Sequence, residues 1–276
     1  MRLRPTVLIA GLVTAASVVA AGALSTAAAA PASPGFAPAS AATIRPGVQT
    51  RTPAGQCTAN FLFTDGTGAV YVGQSAHCAS RGESNETNGC TTPSLPLGTR
   101  VQVAGASRPG TMVYSSWIAM QRDRERNANA CAFNDFALVR LDPADVGRAN
   151  PTVPVFGGPN ALDRDGTVPG ERVVTYGNSS LRFGLTSLSP KRGYSLGSYA
   201  DRWSHDVYTV TPGIPGDSGS GVMDARGAAI GTLSTVSLAP FPASNGVSDL
   251  QRQLAYARAH GMPGLTLVPG TVPFKG

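Results

Sequence analysis

Three short fragments of this 276-residue sequence contain side chains that can perform nucleophilic catalysis. They are Ser75-Ala76-His77-Cys78, Asn134-Asp135-Phe136-Ala137-Leu138 and Gly216-Asp217-Ser218-Gly219. A serine hydroxyl is a weak nucleophile until an imidazole accepts its proton. The imidazole needs a carboxylate on its other nitrogen, and backbone N–H groups must stabilise the charge that develops on the attacked carbonyl. The glycines around Ser218 let the backbone turn tightly and approach a substrate.

The elements that must position these fragments are predominantly β-strands. The chain has 33 glycines and 22 prolines, which favour many turns over long helices. Two β-prone runs at 60–64 and 69–73 are joined by Asp65-Gly66-Thr67-Gly68, a strong hairpin signal that ends just before His77. Further strand candidates lie at 99–104, 111–120, 136–141, 171–176, 206–210, 221–223 and 228–235. The sequence therefore predicts an all-β protein with two β units, separated by the Pro- and Gly-rich passage at 151–170.

One helix is predicted near the C-terminus. Ser248 with Gln251 three residues later forms a capping box, and an apolar face follows before Gly261 stops the helix. His260 lies at the end of this helix. His205 has no matching motif and is expected at the surface.

The N-terminal residues are not expected to form part of the folded domain. Residues 1–30 have a basic start, an apolar stretch and a small-residue zone, which is typical of a secretory signal peptide. The alternative is an uncleaved membrane anchor, because no charge occurs between Thr6 and Ala30. Residues 31–50 are rich in Pro, Ala and Ser and are predicted to be a linker or short pro-segment without a core of its own. We therefore expect a secreted, extracellular protein whose folded domain spans 51–276.

The cysteines and the charge limit the classes of partner. Four cysteines (Cys57, Cys78, Cys90 and Cys131) allow three pairings, and two disulfides suit an oxidising compartment better than a metal site, because close CxxC pairs are absent. The net charge is +6, but the basic residues are scattered and do not form a nucleic-acid footprint. We expect no nucleic acid, no stable membrane association, no metal and no cofactor.

Together, the three fragments resemble the signature blocks of the chymotrypsin/trypsin-like serine protease family of the secreted bacterial type. They occur in the order of that family, His then Asp then Ser, and the resemblance covers the chain from about Cys57 to Gly261. It implies two six-stranded antiparallel β-barrels with a C-terminal helix and an active site in the cleft between the barrels. The N-terminal barrel would lie at about 51–155 and the C-terminal barrel at about 165–276.

The resemblance also implies roles for individual residues. His77 would be the general base, Asp135 its orienting carboxylate and Ser218 the nucleophile. The N–H groups of Gly216 and Ser218 would form the oxyanion hole. Residues at the substrate-binding positions are Pro212, Ser234, Thr235 and Val236. Cys57 would pair with Cys78, which leaves Cys90 for Cys131. The substrates would be proteins or peptides, and a monomer would suffice.

Departures from the family pattern affect substrate specificity more than catalysis. No cysteine precedes Gly216, and Ser220-Gly221 replaces the usual glycine-proline. Pro212 lies where trypsin-like members have an aspartate, and Val236 lies where many members have a glycine. These residues predict small or medium apolar side chains at P1, the residue whose carbonyl is attacked, and disfavour Lys or Arg there.

A further departure concerns activation. In animal members, the aspartate that matches Asp217 pairs with a new N-terminal amine, and Arg51-Thr52-Pro53 is a poor match to the required cleavage pattern. A buried carboxylate needs a cation. Arg172 and Arg182 are the internal candidates.

Two alternative functions remain open at this point. The first is a non-catalytic, protease-like binding protein, although such proteins usually lose a member of the triad. The second is a secreted esterase, but α/β-hydrolases have the chain order Ser, acid, His, which this sequence does not follow.

Overall fold

The computed structural model describes residues 35–83, 86–236 and 242–276, which form a largely antiparallel β structure. The predicted signal peptide lies outside these residues. The strands are β1 Gln49–Thr52, β2 Gly55–Thr58, β3 Leu62–Thr64, β4 Val70–Gln74, β5 Arg100–Val103, β6 Gly110–Ser115, β7 Ala137–Arg140, β8 Ala161–Leu162, β9 Arg172–Tyr176, β10 Pro190–Tyr199, β11 Ser204–Val210, β12 Gly221–Asp224, β13 Ala228–Val236, β14 Asn245–Asp249 and β15 Thr266–Leu267. The helices are α1 Ser116–Asp123, α2 Ala128–Phe133, α3 Pro143–Val146 and α4 Leu250–Ala259, with 3₁₀ turns at Ala76–Ala79, Ser180–Arg182 and Thr186–Leu188.

The second β unit is a closed six-stranded barrel, as the resemblance implies. Its strands follow the order β12-β9-β10-β11-β14-β13, and β12 pairs with β13 to close the ring. Alternate residues of these strands point inwards and fill the barrel with an aliphatic cluster of Val173, Val207, Val222, Ile230, Leu233 and Val247. The short strand β8 adds to β13 in parallel.

The first β unit differs in detail from a regular six-stranded barrel. It is an eight-stranded sheet with the order β15-β3-β4-β7-β6-β5-β1-β2. Strands β2 and β3 are consecutive in the chain, and the bend between them, at residues 59–61, turns the sheet back on itself. One strand of the eight, β15, returns from the C-terminus to pair with β3. Phe63 and Phe136 meet edge to face in this core, with ring centroids 5.5 Å apart.

The N-terminal boundary of the fold lies earlier than predicted. Ile44 is fully buried and forms a parallel bridge with Ala149. The N–H of Ala37 donates to the carbonyl of Ala149 at 3.0 Å. Residues 31–50 were predicted to be a linker from their composition; residues 31–34 lie outside the described part of the structure. From residue 35 onwards the segment contributes side chains that pack against the core, and its last two residues begin β1.

The C-terminal helix is present as predicted, with a different cap. Asp249, not Ser248, is the N-cap, and its carboxylate accepts a hydrogen bond from the N–H of Arg252 at 2.7 Å. Leu250, Leu254 and Ala257 are buried on one face. None of the helices in the described residues is long and apolar enough to cross a bilayer.

The prediction that His205 is a surface residue is wrong. Its side chain is fully buried between β10 and β14, and its Nε2 lies 3.1 Å from Asp249 Oδ2. The Ser198 hydroxyl lies 2.9 Å from its Nδ1. These polar partners compensate for the burial, and Asp249 lies 44 residues away in the sequence.

Candidate active site

His77 lies in the 3₁₀ turn that follows β4, and a disulfide fixes this turn. Cys57 in β2 is bonded to Cys78, with the two Cα atoms 6.0 Å apart. The ring Nδ1 of His77 lies 2.6 Å from Asp135 Oδ2, and the backbone N–H of His77 donates to Asp135 Oδ1 at 2.8 Å. Both carboxylate oxygens therefore face the same residue, which fixes the orientation of the imidazole.

Asp135 lies between α2 and β7. Helix α2 begins after Asn127, whose side chain accepts hydrogen bonds from two N–H groups of its first turn, and Cys90 holds the helix through its disulfide with Cys131. Both disulfides that the resemblance implies are thus present. Only 6% of Asp135 is exposed. Its backbone carbonyl accepts a hydrogen bond from Gln253 of α4 at 3.1 Å.

The His77–Asp135 contact changes the protonation of both residues. Burial disfavours the imidazolium, but the charge of Asp135 and its hydrogen bond outweigh burial and raise the pKa of His77 above 6.5. Burial alone would raise the pKa of the Asp135 carboxyl. The charge of His77 and the hydrogen bonds from its ring and backbone N–H instead lower this pKa below 3.8. Asp135 is therefore ionised at neutral pH and can stabilise a protonated His77.

Ser218 lies in a tight loop ahead of β12 in the second barrel. The loop depends on two glycines with positive φ, Gly216 at +93° and Gly219 at +91°. A Cβ on Gly219 would lie 2.3 Å from the carbonyl oxygen of Thr58. The Ser218 carbonyl accepts a hydrogen bond from the N–H of Thr58 at 2.8 Å. The nucleophile loop is therefore held against β2, the strand that is also bonded to the histidine turn.

Two backbone N–H groups of this loop, those of Gly216 and Ser218, have no acceptor among the described residues. The Gly216 carbonyl is held by Thr58 Oγ1 at 2.8 Å and by Gln56 Nε2 at 3.0 Å. The hydrogen bonds of the described residues also include none between Ser218 Oγ and His77. The structure thus brings His77 and Asp135 into direct contact and places Ser218 in the adjoining loop.

Asp217, next to Ser218, is fully buried in an internal ion cluster. Arg182 Nη2 lies 2.8 Å from its Oδ2, and Lys191 Nζ lies 3.4 Å from the same oxygen. The N–H groups of Ser179 and Ile214 also donate to its carboxylate, at 3.0 Å and 3.2 Å. Of the two arginines proposed from the sequence, Arg182 is the partner.

The sequence did not correctly predict two residues in relation to this cluster, Arg172 and Lys191. Arg172 is exposed on β9, whereas Lys191 was missed. Lys191 is one of only two lysines in the chain, the other being Lys275, and it lies in a segment otherwise rich in arginine and serine. Burial and the charge of Arg182 lower its pKa against the opposing effect of Asp217.

The residues at the predicted substrate-binding positions lie on two segments beside Ser218. The carbonyl of Pro212 accepts a hydrogen bond from Arg182 Nη2 at 2.9 Å. Ser234 Oγ lies 2.8 Å from Ser248 Oγ, and the two hydroxyls are hydrogen-bonded. Thr235 and Val236 of β13 pair with Gly246 and Asn245 of β14. The side chain of Val236 lies outside the described part of the structure.

One cluster of three possible metal ligands occurs within the described residues. It consists of His77, Cys57 and Cys78, whose ligand atoms lie within 4.8 Å of one another. Both sulfurs belong to the disulfide, so they are not thiolates and do not form a metal site of the usual kind.

Comparison with solved structures identifies the fold. A scan against family models and a search of curated proteins find no match to the sequence. Protease A of Thermobifida fusca is 18% identical with a TM-score of 0.53, and the match covers 83% of this chain and 100% of that one. A glutamic acid specific serine protease that uses a histidine triad in substrate binding is 19% identical with a TM-score of 0.52, over 82% and 100% of the two chains. With the closed barrel, the two-disulfide framework and the C-terminal helix, these likenesses show that the chain has the fold of the chymotrypsin-like serine proteases.

Proposed function

We propose that this protein is a secreted serine endopeptidase that uses Ser218, His77 and Asp135 as a catalytic triad. The observation that carries the proposal is the bonded His77–Asp135 pair, with Nδ1 and Oδ2 2.6 Å apart, beside a loop that presents Ser218 between two glycines. Each residue has the chemistry that its role requires. The fold, which is that of serine proteases, supports the assignment.

The reaction would proceed through an acyl-enzyme. Ser218 Oγ attacks the scissile carbonyl carbon while His77 Nε2 takes its proton, and Asp135 stabilises the resulting imidazolium. The N–H groups of Gly216 and Ser218 donate to the carbonyl oxygen as it becomes negative. The imidazolium then protonates the leaving amine, and the C–N bond breaks. A water molecule, deprotonated by His77, releases the acyl group from Ser218.

Secretion is part of the proposal and has two supports. The N-terminal residues have the composition of a signal peptide. Together, the two disulfides use all four cysteines and leave none free. Such pairing is usual in an oxidising compartment. Expression with residues 1–30 intact, followed by N-terminal sequencing of the protein in the culture medium, tests this part.

The catalytic role of Ser218 is tested by labelling with a fluorophosphonate probe and by hydrolysis of a peptide library. We expect wild type to be labelled at Ser218 and to cleave peptides, and Ser218→Ala to lose activity by a factor on the order of 10⁶ while remaining folded. Ser40→Ala, at an exposed serine of the N-terminal segment, is the control and should behave as wild type. A folded wild-type protein that is neither labelled nor active would instead indicate a binding protein of protease fold.

A further inference from the structure

The side chain of Ser179 contacts the loop that leads to Ser218. Ser179 lies between β9 and the 3₁₀ turn at Ser180–Arg182, and only 2% of it is exposed. Its hydroxyl donates a hydrogen bond to the carbonyl of Pro215, 36 residues away, at 2.6 Å. Within the described residues, no other group donates to that carbonyl. The hydrogen bonding of this carbonyl therefore depends on a single side chain.

The surroundings of Ser179 direct its hydroxyl towards this loop. The oxygen accepts a hydrogen bond from the N–H of Leu181 at 3.1 Å, so its single proton is left for the Pro215 carbonyl. The backbone N–H of Ser179 donates to Asp217 Oδ1 at 3.0 Å. A Cβ on Gly216 would lie 2.8 Å from Ser179 Oγ. Ser179 thus lies against three consecutive residues of the loop.

The carbonyl of Pro215 and the N–H of Gly216 belong to one peptide group. A peptide group is planar, and in the trans form its C=O and N–H point in opposite directions. The Pro215–Gly216 bond is trans. The hydrogen bond from Ser179 therefore also fixes the direction of the Gly216 N–H, which is one of the two proposed donors to the oxyanion.

The opposite orientation of this peptide group is accessible to the backbone. Gly216 has a φ of +93°, and rotation of the peptide group by about half a turn would give it a negative φ, which glycine adopts as readily. The rotation would turn the Gly216 N–H away from the site and bring the Pro215 carbonyl oxygen towards it. Because glycine does not oppose this rotation, the hydrogen bond from Ser179 favours the present orientation.

We infer that Ser179 is a positioning residue that keeps the Gly216 N–H directed at the oxyanion. It does not touch the substrate and acts through the Pro215–Gly216 peptide group. The inference rests on the proposed function, because it requires Ser218 to be the nucleophile. The oxyanion exists only during the reaction, so loss of the Ser179 hydroxyl should weaken stabilisation of the transition state and leave substrate binding unchanged.

The test compares wild type with Ser179→Ala on a peptide that wild type cleaves. The variant should keep KM within about twofold of wild type and lose kcat. The loss should lie between about tenfold and the factor of about 10²–10³ that removal of an oxyanion donor costs, because the Gly216 N–H is still present. Circular dichroism establishes that the two proteins are equally folded.

Two inhibitors with the sequence of that peptide separate a role in the oxyanion hole from a general loss of structure. Ser218 Oγ adds to the carbonyl carbon of a peptidyl trifluoromethyl ketone, its proton passes to His77, and the carbonyl oxygen becomes an oxyanion. The corresponding peptidyl alcohol binds without reaction. Ser179→Ala should raise the Ki of the ketone by the factor by which kcat/KM falls and leave the Ki of the alcohol unchanged.

Ser195→Ala is the matched control for a lost buried hydroxyl. Ser195 is fully buried in the same barrel, and its Oγ accepts a hydrogen bond from the N–H two residues later at 3.0 Å, as that of Ser179 does. It donates to Thr167 Oγ1 at 2.7 Å, outside the nucleophile loop. Its loss should lower stability without changing kcat or the Ki of the ketone.

Two results would overturn the inference. The first is a folded Ser179→Ala protein with the kcat and the ketone Ki of wild type. The second is a rise in the Ki of the alcohol as large as that of the ketone. If Ser179→Ala does not fold, Ser179→Cys takes its place, because a thiol is only a weak donor; wild-type kcat in that variant would be equally decisive against the inference. A wild-type protein that is neither labelled by a fluorophosphonate nor active would be a different failure, that of the proposed function, and the inference would fall with it.

Discussion

The contact between His77 and Asp135 sets the protonation state of the proposed base. Asp135 is almost fully buried and ionised, and its charge lies against the imidazole. An imidazole in this position holds its proton more tightly than a free histidine does. The base must be neutral to accept the proton of Ser218, so the strength of this pair determines the pH at which the site becomes active.

We therefore predict that the acid limb of the kcat/KM profile lies above pH 6.5, the usual pKa of histidine. Below its raised pKa His77 is protonated and activity is low, and activity rises as the pH increases through that pKa. Asp135→Asn should move the limb to lower pH and reduce kcat by about 10⁴. Circular dichroism over the same pH range controls for unfolding. A wild-type limb at or below 6.5 would contradict the prediction.

The Asp217 cluster leads to a second prediction at the scale of single residues. Removing one cation, in Arg182→Met or Lys191→Met, leaves the other near the carboxylate. Removing both leaves an unpaired buried charge. We expect the double variant to lose about 3–5 kcal/mol of unfolding free energy, and to react with a fluorophosphonate more slowly than either single variant.

The exposed Arg172 provides the control for this experiment. Arg172→Met removes an arginine from the same barrel but lies outside the ion cluster, so its stability and labelling rate should match those of wild type. Urea unfolding and the labelling rate are the two measurements. If the double variant is as stable and as reactive as wild type, the cluster does not hold the nucleophile loop.

At the scale of secondary structure, local signals were sufficient for some elements and insufficient for others. The hairpin of β3 and β4 follows from its turn residues, and α4 follows from its apolar face. The run at 111–120 was expected to be one strand, but the chain leaves the sheet at Ser116, where α1 begins. Strand β10 was missed because it contains glycines at 193 and 197 and is held by its neighbours β9 and β11.

The same distinction applies to the residues of the site. His77, Asp135 and Ser218 have neighbours in sequence that belong to recognisable motifs. Lys191 and Ser179 act through partners 26 and 36 residues away, and short motifs do not specify such contacts. The pairing of strands in the barrel brings these residues together, so they become visible only in three dimensions.

The two disulfides lead to a prediction about elements. Cys57–Cys78 joins β2 to the histidine turn and Cys90–Cys131 holds α2 near Asp135, with sequence separations of 21 and 41. Each loop should stabilise the fold by roughly 3 to 4 kcal/mol. Both lie in the first β unit, so reduction should loosen the base before the nucleophile loop.

Hydrogen exchange with mass spectrometry checks this order. In the reduced protein, peptides that cover 75–80 and 128–136 should exchange faster than in the oxidised protein, while a peptide that covers 216–224 should change little. Equal acceleration in all three would contradict the prediction. A Cys57→Ala, Cys78→Ala double variant separates the effect of the first bridge from that of the second.

At the scale of the whole molecule, both ends of the described chain stabilise the first sheet. The segment from residue 36 to 50 packs Phe36, Ile44 and Val48 against the core, and β15 forms one edge of the sheet through its pairing with β3. Near the end, the N–H of Lys275 donates to the carbonyl of Phe156 at 2.6 Å. Strand β1 lies inside this sheet, between β5 and β2. Cleavage of the chain within β1 would therefore disrupt a strand that is paired on both sides.

We predict that the protein is active without cleavage after Arg51. In animal members of the chymotrypsin/trypsin-like family that the sequence resembles, a new N-terminal amine pairs with the aspartate that matches Asp217. Here that carboxylate already has two cations, Arg182 and Lys191, and two backbone N–H donors. Arg51 itself lies within β1, opposite Gln56 of β2 and Gln102 of β5, so a cut there would break a strand that is paired on both sides.

Arg51→Gln should therefore keep kcat/KM within about twofold of wild type, as expected for an exposed side chain outside the site. Arg51 is exposed, and its Nη2 donates to the side chain of Gln49 in the same strand. N-terminal sequencing of the active wild-type species completes the test. If neither protein is cleaved after Arg51, the variant and wild type must begin at the same residue. An inactive Arg51→Gln protein, together with an active wild type that begins at Thr52, would show that the internal cations do not replace the N-terminal amine.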